Sequence, residues 1–229
     1  MTGIYVDGAY LRATNASWHV EDSPWKTRNI ITMMERNKLA PASVCDVGCG
    51  AGEVVRLLSL HYPDARFVGY DISPQARDLN RQRESAMVSF EHADLLDQDV
   101  RFDLVIAADV FEHVDDYMGF LRRLKPKAEF KLFHVPLDIS VWSVLYGSMM
   151  TARDEIGHLH YFTRDTALAT LRDCGYEIVD SFYTAAFTDR PSKSKRGLVA
   201  NALRRACFGL SPGLTAKVLG GCSMMVLGR

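Results

Sequence analysis

Apolar positions fall along this chain in two alternating rhythms. Glu21-Asp22-Ser23-Pro24 supplies cap residues and a proline suited to a first helical turn. Ile30, Met33 and Met34 continue one apolar face, so a helix is predicted from about Pro24 to Asn37, stopped by Pro41. Ser43-Val44-Cys45-Asp46-Val47 then reads as a short buried strand entering Gly48-Cys49-Gly50-Ala51-Gly52, and Leu57, Leu58 and Leu60 follow at helical spacing. The alternation repeats. Arg66 to Tyr70, Val88 to Glu91, Asp103 to Ala107 and Glu129 to Val135 read as strands, with helices at Pro74 to Glu84 and at Asp115 to Leu124 before Pro126. Strands alternating with helices imply right-handed crossovers and a doubly wound, mostly parallel α/β sheet covered on both faces. Asp165 to Cys174 reads as a further helix ended by Gly175. Tyr176 to Tyr183 and Cys222 to Leu227 are two last strands suited to an antiparallel edge.

Composition narrows the class. The 229 residues are 24% charged and 48% hydrophobic, which excludes collagen-like, low-complexity and largely disordered chains and suits one domain of the larger kind, residues 1–229. Within it, 1–40 reads as a helical cover, 41–136 as the sheet core, 137–163 as an insertion and 164–229 as closing helix and strands. The five cysteines form neither paired zinc-ligand spacings nor an even disulfide framework, and no basic-plus-apolar leader stands at the start. A reduced, cytoplasmic protein is expected. The net charge of -1 hides an asymmetry: seven basic residues and no acid lie between Arg190 and Lys217. There Leu198, Val199, Ala202, Leu203 and Ala206 share a helical face opposite Arg204 and Arg205. Two readings stay open, a packed surface helix or an interfacial helix through 190–217 that touches an anionic membrane or a lipid-linked substrate.

Candidate chemistry gathers at the strand ends. Gly48-x-Gly50-x-Gly52, preceded by Asp46, lets backbone approach a ligand at a helix start, with a spacing that differs from the Gly-x-Gly-x-x-Gly of dinucleotide folds. Asp71, placed to accept both hydroxyls of a ribose, ends the second strand; Asp94 follows the third, and Asp109, Glu112 and His113 follow the fourth. Four consecutive strands thus end in carboxylates on the edge where doubly wound sheets bind ligands.

These segments resemble class I S-adenosylmethionine-dependent methyltransferases. Val44 to Gly52 is similar to their first motif, Val68-Gly69-Tyr70-Asp71-Ile72-Ser73 to the second, His92-Ala93-Asp94-Leu95 to the third and Phe102 to Val114 to the fourth. The resemblance implies a seven-stranded Rossmann-like fold with S-adenosyl-L-methionine as cofactor. It places Gly48, Gly50 and Gly52 under the cofactor, with Asp46 bracing the loop. It gives the ribose to Asp71, the adenine face to Ile72, the adenine edge to Asp94 and Leu95, and the methionine end to Ala108 and Asp109. Lys26 is its candidate for the cofactor carboxylate, the other reading being a solvated helix lysine. The Glu112-His113-Val114 ending resembles the small-molecule branch that includes ubiquinone-biosynthesis O-methyltransferases and sugar methyltransferases. The Asn/Asp-Pro-Pro-Tyr/Phe run of nucleic-acid amino-methylating enzymes is absent, so a small-molecule acceptor and no nucleic acid are expected.

On the acceptor side, methyl transfer to a hydroxyl needs alignment and the management of one proton. His113, His158 and His160 are the candidate bases, His113 first because the fourth strand fixes it; each can equally be a structural histidine. His158 and His160 lack a third ligand, so no metal site is expected. Leu137 to Glu155, with Trp142, Tyr146, Met149 and Met150, is expected to wall or lid an acceptor pocket, and Tyr5, Tyr10, Trp18, His19 and Trp25 to cover it from the other side. Two rival functions are a nicotinamide-dependent dehydrogenase, opposed by the glycine spacing, and a catalytically silent cofactor-binding subunit, opposed by the intact loop and the histidines.

Overall fold

A computed structural model describes Trp18, residues 20–188 and residues 195–229. Tyr5, Tyr10, His19, Arg190 and Lys193 lie outside the described residues. The strands are β1 (Ser43–Val47), β2 (Arg66–Tyr70), β3 (Val88–Glu91), β4 (Phe102–Ala108), β5 (Ala128–Pro136), β6 (Ile178–Thr184) and β7 (Ser223–Gly228), in one sheet of order β3-β2-β1-β4-β5-β7-β6. The first five pair in parallel, and β7 pairs antiparallel to both β5 and β6. The expected antiparallel edge is present, with β7 as its inner strand.

Alternation along each strand divides the core. Cys45, Val47, Val105, Ala107, Phe133 and Val135 face one side, where α4 (Tyr117–Leu124) and α7 (Arg164–Asp173) cover them. Val44, Phe67, Leu104, Ile106 and Leu132 face the other, beneath α1 (Ser23–Arg36) and α2 (Glu53–His61). Each large apolar side chain fully buried in this way contributes about 1.5–3 kcal/mol, which sets the register of the strands and hence of their polar ends. The predicted Pro74 to Glu84 helix is α3 (Pro74–Asn80), capped by Ser73 and followed by a short 3-10 turn at Arg81–Arg83. Ile30, Met33 and Met34 are buried as their spacing implies. Arg36 and Asn37 tie the end of α1 to Asp180 on β6, which steers Trp25 and Lys26 over the carboxyl ends of the central strands.

The long connection after β5 folds as two helices, α5 (Val141–Tyr146) and α6 (Ser148–Ile156). Ser140 caps α5 through a reciprocal bond with Ser143, and left-handed Gly147 separates the two. The basic segment forms α8 (Lys195–Leu210) and α9 (Pro212–Val218). The α8 helix packs on α9 and on the Ala186–Thr188 turn, but not through the predicted apolar face. Leu198, Val199, Ala202, Leu203 and Ala206 are at least half exposed or lie at the surface, while Arg204 and Arg205 reach back to the Leu219 and Phe187 carbonyls. Guanidiniums can satisfy helix-end carbonyls that leucines cannot, so the arginine side of the helix is tied to the body. Among the described residues no helix is long and apolar enough to cross a membrane.

Candidate active site

One cavity of about 1000 Å³ opens at the carboxyl ends of β1, β2, β4 and β5 and runs under α5, α6 and the end of α9. Its floor is the glycine turn. Gly50 has φ +52 and an added Cβ would stand 2.5 Å from the Trp18 indole; Gly52 has φ +77, caps α2, and a Cβ there would run into the Phe90 ring. Only glycine meets both the left-handed backbone and the space.

Asp71, one strand over, holds this turn. Its Oδ2 accepts the Gly50 N–H at 2.8 Å and its Oδ1 accepts the Ser73 N–H at 2.8 Å. Burial pushes its carboxyl up, and those two backbone donors oppose the shift. Asp94 Oδ1 accepts the Leu96 N–H at 2.9 Å and caps the turn Leu95–Asp97. Asp46 lies under the loop with few solvent contacts. Burial pushes its carboxyl up to about 7, against the pull of Lys26 and with the charge of Asp71 adding to the rise. Every residue assigned from the resemblance lines the cavity: Lys26, Asp46, Gly48, Gly50, Gly52, Asp71, Ile72, Asp94, Leu95, Ala108 and Asp109.

Lys26, given to the cofactor carboxylate by the resemblance, lines the cavity and also has a partner within the protein. Its Nζ lies 2.6 Å from Asp109 Oδ2, so the ammonium is part of an ionic cluster inside the protein. Asp109 itself sits at φ +58, an uncommon conformation for a side-chain-bearing residue, held by its N–H donating to the His134 carbonyl. Its other oxygen is 2.6 Å from His134 Nδ1, and His134 Nε2 is 3.0 Å from Thr184 Oγ1. Burial alone would raise the Asp109 carboxyl; His134 and Lys26 beside it hold it well below the usual carboxylate range. Sequence reading missed His134. Its one signal was a polar residue in the apolar run of β5.

The three candidate histidines separate. His113 and His158 line the cavity, their rings 4.8 Å apart and nearly perpendicular. His113 Nδ1 donates to the Gly157 carbonyl at 3.0 Å, and burial, with His158 beside it, pushes its imidazole down to about 4. His158 Nδ1 lies 2.7 Å from Asp138 Oδ2, a partner that sequence reading also missed. His160 is placed otherwise. Its Nε2 bonds the Val114 and Asp115 carbonyls, its ring rests on Tyr117, and it is not among the cavity-lining residues. His160 is therefore not placed as a base: Nε2–H is committed to backbone carbonyls, and the ring, whose Nδ1 keeps the lone pair, does not line the cavity. The fold forms a different group from the His158 and His160 pair considered above: Glu112 Oε1 stands 3.9 Å from His113 Nε2, and one ligand atom each from Glu112, His113 and His158 lie within 4.8 Å of one another. Glu112 is fully buried, and burial with the charge of Asp109 pushes its carboxyl up.

The donor set fits S-adenosylmethionine. A glycine turn at a helix start, a carboxylate on the next strand with unspent lone pairs, an apolar slot at Ile72 and Leu95, and a charged cluster at Asp109 line one continuous space.

Comparison with known proteins agrees. The methyltransferase-domain family matches residues 22–181. Among curated relatives, the malonyl-[acyl-carrier protein] O-methyltransferase of Acetivibrio thermocellus is 29% identical over 135 residues, covering 56% of this chain and 47% of that protein. The trans-aconitate 2-methyltransferase of Methylobacterium nodulans is 34% identical over 113 residues, covering 48% and 43%. The chain thus spans about half the length of these relatives. Among solved structures, a putative sarcosine dimethylglycine methyltransferase from Galdieria sulphuraria superposes with a TM-score of 0.64 at 14% identity, over 91% of this chain and 86% of that one. Magnesium protoporphyrin IX methyltransferase from Synechocystis PCC 6803 with bound SAH does so at 0.61 and 17%, over 90% and 82%.

Proposed function

Because the chain belongs to the S-adenosylmethionine-dependent methyltransferases, we propose that it moves a methyl group onto a hydroxyl oxygen, in preference to an amine nitrogen, of a small acceptor that carries an apolar tail. The observation that carries this reading is the continuity of one cavity from the glycine turn to the His113 and His158 pair. S-adenosylmethionine supplies, when bound, an electrophilic methyl on a sulfonium that is already an excellent leaving group. The chain's own residues then have two tasks.

The first is to hold the cofactor. Asp71 would take the ribose hydroxyls with the lone pairs that Gly50 and Ser73 leave, Asp94 and the Leu95 backbone the adenine edge, and Ile72 its face. Ala108 and the Asp109 cluster would flank the methionine end, Lys26 acting from within that cluster. The second task is to meet the acceptor oxygen and relieve it of a proton. His113 and His158 stand at that end, each with Nδ1 fixed by an acceptor, so that Nε2 carries the lone pair. That both curated relatives described above carry names for methyl transfer, one explicitly to oxygen, supports the choice of atom.

The apolar tail rests on the cavity mouth. Most of the exposed large apolar side chains among the described residues fall on α5 and α6 (Val141, Trp142, Val144, Leu145, Tyr146, Met150) or on α8 and α9 (Leu198, Val199, Leu203, Leu210, Leu214, Val218). These helices also supply Trp142, Ser148 and Arg204 to the cavity wall. Soluble proteins leave such patches exposed where something apolar docks. The test is to incubate the protein with methyl-tritiated S-adenosylmethionine and a cell extract, then partition the products. Label in the organic phase is expected. Label confined to the aqueous phase refutes the apolar tail, and no transferred label in either phase refutes the activity.

A further inference from the structure

Glu112 is the anomaly of this site. It has no solvent exposure, and among the described residues neither carboxyl oxygen has a hydrogen-bond partner. A carboxyl group buried in that condition is costly, and native proteins keep few such groups unless they hold a water or an ion or take part in catalysis. What faces Glu112 is specific. Its Oε1 is 3.9 Å from His113 Nε2, and a nitrogen of His158 completes a group whose ligand atoms all lie within 4.8 Å of one another. Neighbouring Asp109 is already bound by Lys26 and His134 and is left out of the group.

The surroundings of the two imidazoles are those of metal ligands. His113 Nδ1–H donates to the Gly157 carbonyl, and His158 Nδ1–H donates to the Asp138 carboxylate. Each ring is thereby fixed in the tautomer that leaves Nε2 as the lone-pair nitrogen, the outer-shell pattern that orients and strengthens histidine ligands. The backbone locks the assembly: the N–H groups of Leu159 and His160 donate to the Glu112 carbonyl at 2.8 and 3.1 Å, joining the turn after β4 to the segment after α6.

We infer that Glu112, His113 and His158 form a binding site for one divalent transition-metal or zinc ion, oriented by Asp138 and open toward the cavity. Two imidazoles and one carboxylate are a donor set for zinc, manganese or iron rather than for magnesium or calcium, which prefer all-oxygen cages. Because His113 and His158 line the cavity, the ion is reached from it and its free positions face the acceptor. With the ion bound, both Nε2 lone pairs would serve as ligands, which replaces the imidazole-base role given above. The ion would anchor the acceptor oxygen and lower the pKa of its hydroxyl, the proton would pass to water in the open cavity, and the oxygen would take the methyl as the carbon–sulfur bond breaks. This use of the ion rests on the oxygen-acceptor reading above; its binding does not.

The experiment is a titration of the chelator-stripped full chain with cobalt(II), read by visible absorption. One equivalent bound with a ligand-field band is expected, displaced by zinc. Glu112→Gln and His158→Gln should abolish the band, and Asp138→Asn should weaken binding roughly 10- to 100-fold. Thermal unfolding and S-adenosylhomocysteine binding show that each variant is folded. Absence of saturable cobalt uptake by the folded wild-type protein overturns the site, even if a variant fails to fold. So does one-equivalent uptake that persists in Glu112→Gln and His158→Gln. No acceptor enters this titration, so its failure would leave the methyl-transfer reading standing.

Discussion

Replacing Asp71 by alanine tests how the glycine turn and the cofactor ribose are coupled. Each carboxyl oxygen already accepts one backbone N–H, from Gly50 and from Ser73, both at 2.8 Å. Asp71 lines the cavity, where its remaining lone pairs would accept ribose hydroxyls. A hydrogen bond to a charged group contributes about 1.5–3 kcal/mol net. Losing the ribose contact should therefore raise the dissociation constant for S-adenosylhomocysteine roughly 10- to 150-fold, since about 1.4 kcal/mol is a factor of ten. Slackening of the Gly50 turn adds to the loss without involving the ribose. The two effects separate in a cycle in which wild type and variant are each titrated calorimetrically with S-adenosylhomocysteine and with its 2′,3′-dideoxy counterpart. The wild type should lose most of its advantage with the dideoxy ligand, and Asp71→Ala should be nearly indifferent between the two. A folded variant that binds S-adenosylhomocysteine within about twofold of wild type would refute the ribose role.

Asp46 gives a stability test. Its folded pKa of about 7 lies above the ordinary 3.8, so the folded state holds the proton more tightly. The stabilisation is complete below about pH 4 and is lost as pH rises toward 7, by at most about 4 kcal/mol. Asp46→Asn should flatten that loss, and melting curves of both proteins without cofactor between pH 4 and 7.5 would show parallel slopes if the reasoning were wrong. His160→Ala should cost about 0.5–1.5 kcal/mol in denaturant unfolding through its two carbonyl contacts and change turnover by no more than a few-fold. A drop of about 10² or more in turnover would instead mark it as a base.

The sequence carried the sheet core well because its signals are local. Ser43 to Val47 and Arg66 to Tyr70 are apolar runs cut off by glycines and an acid, and they match β1 and β2 residue for residue. The carboxylate series along four strand ends placed the cofactor side for the same reason, since strand ends fix the side chains that follow them. What lay outside local pattern was orientation and long-range pairing. Of the two readings of the α8 apolar stripe, the packed one implied an inward face, but the arginines found backbone carbonyls on Phe187 and Leu219 and the stripe turned outward. The α5 cap is a pair of serines, Ser140 and Ser143, in place of the serine-to-glutamate pattern that marks helix starts. His134 and Asp138 stood out only as polar breaks in an apolar run and were not assigned to the site, because their partners, Asp109 and His158, lie 25 and 20 residues away. Glu112 was legible as a strand-end acid; its burial against His113 and His158 depends on the path of residues 147–160, which no periodicity specifies.

The central claim is that the cavity over the glycine turn is an S-adenosylmethionine site. Calorimetric titration of the unmodified chain with S-adenosylhomocysteine and, separately, with NAD addresses it directly. One equivalent of S-adenosylhomocysteine bound with no measurable heat from NAD is the predicted result, and binding of NAD alone would contradict the account.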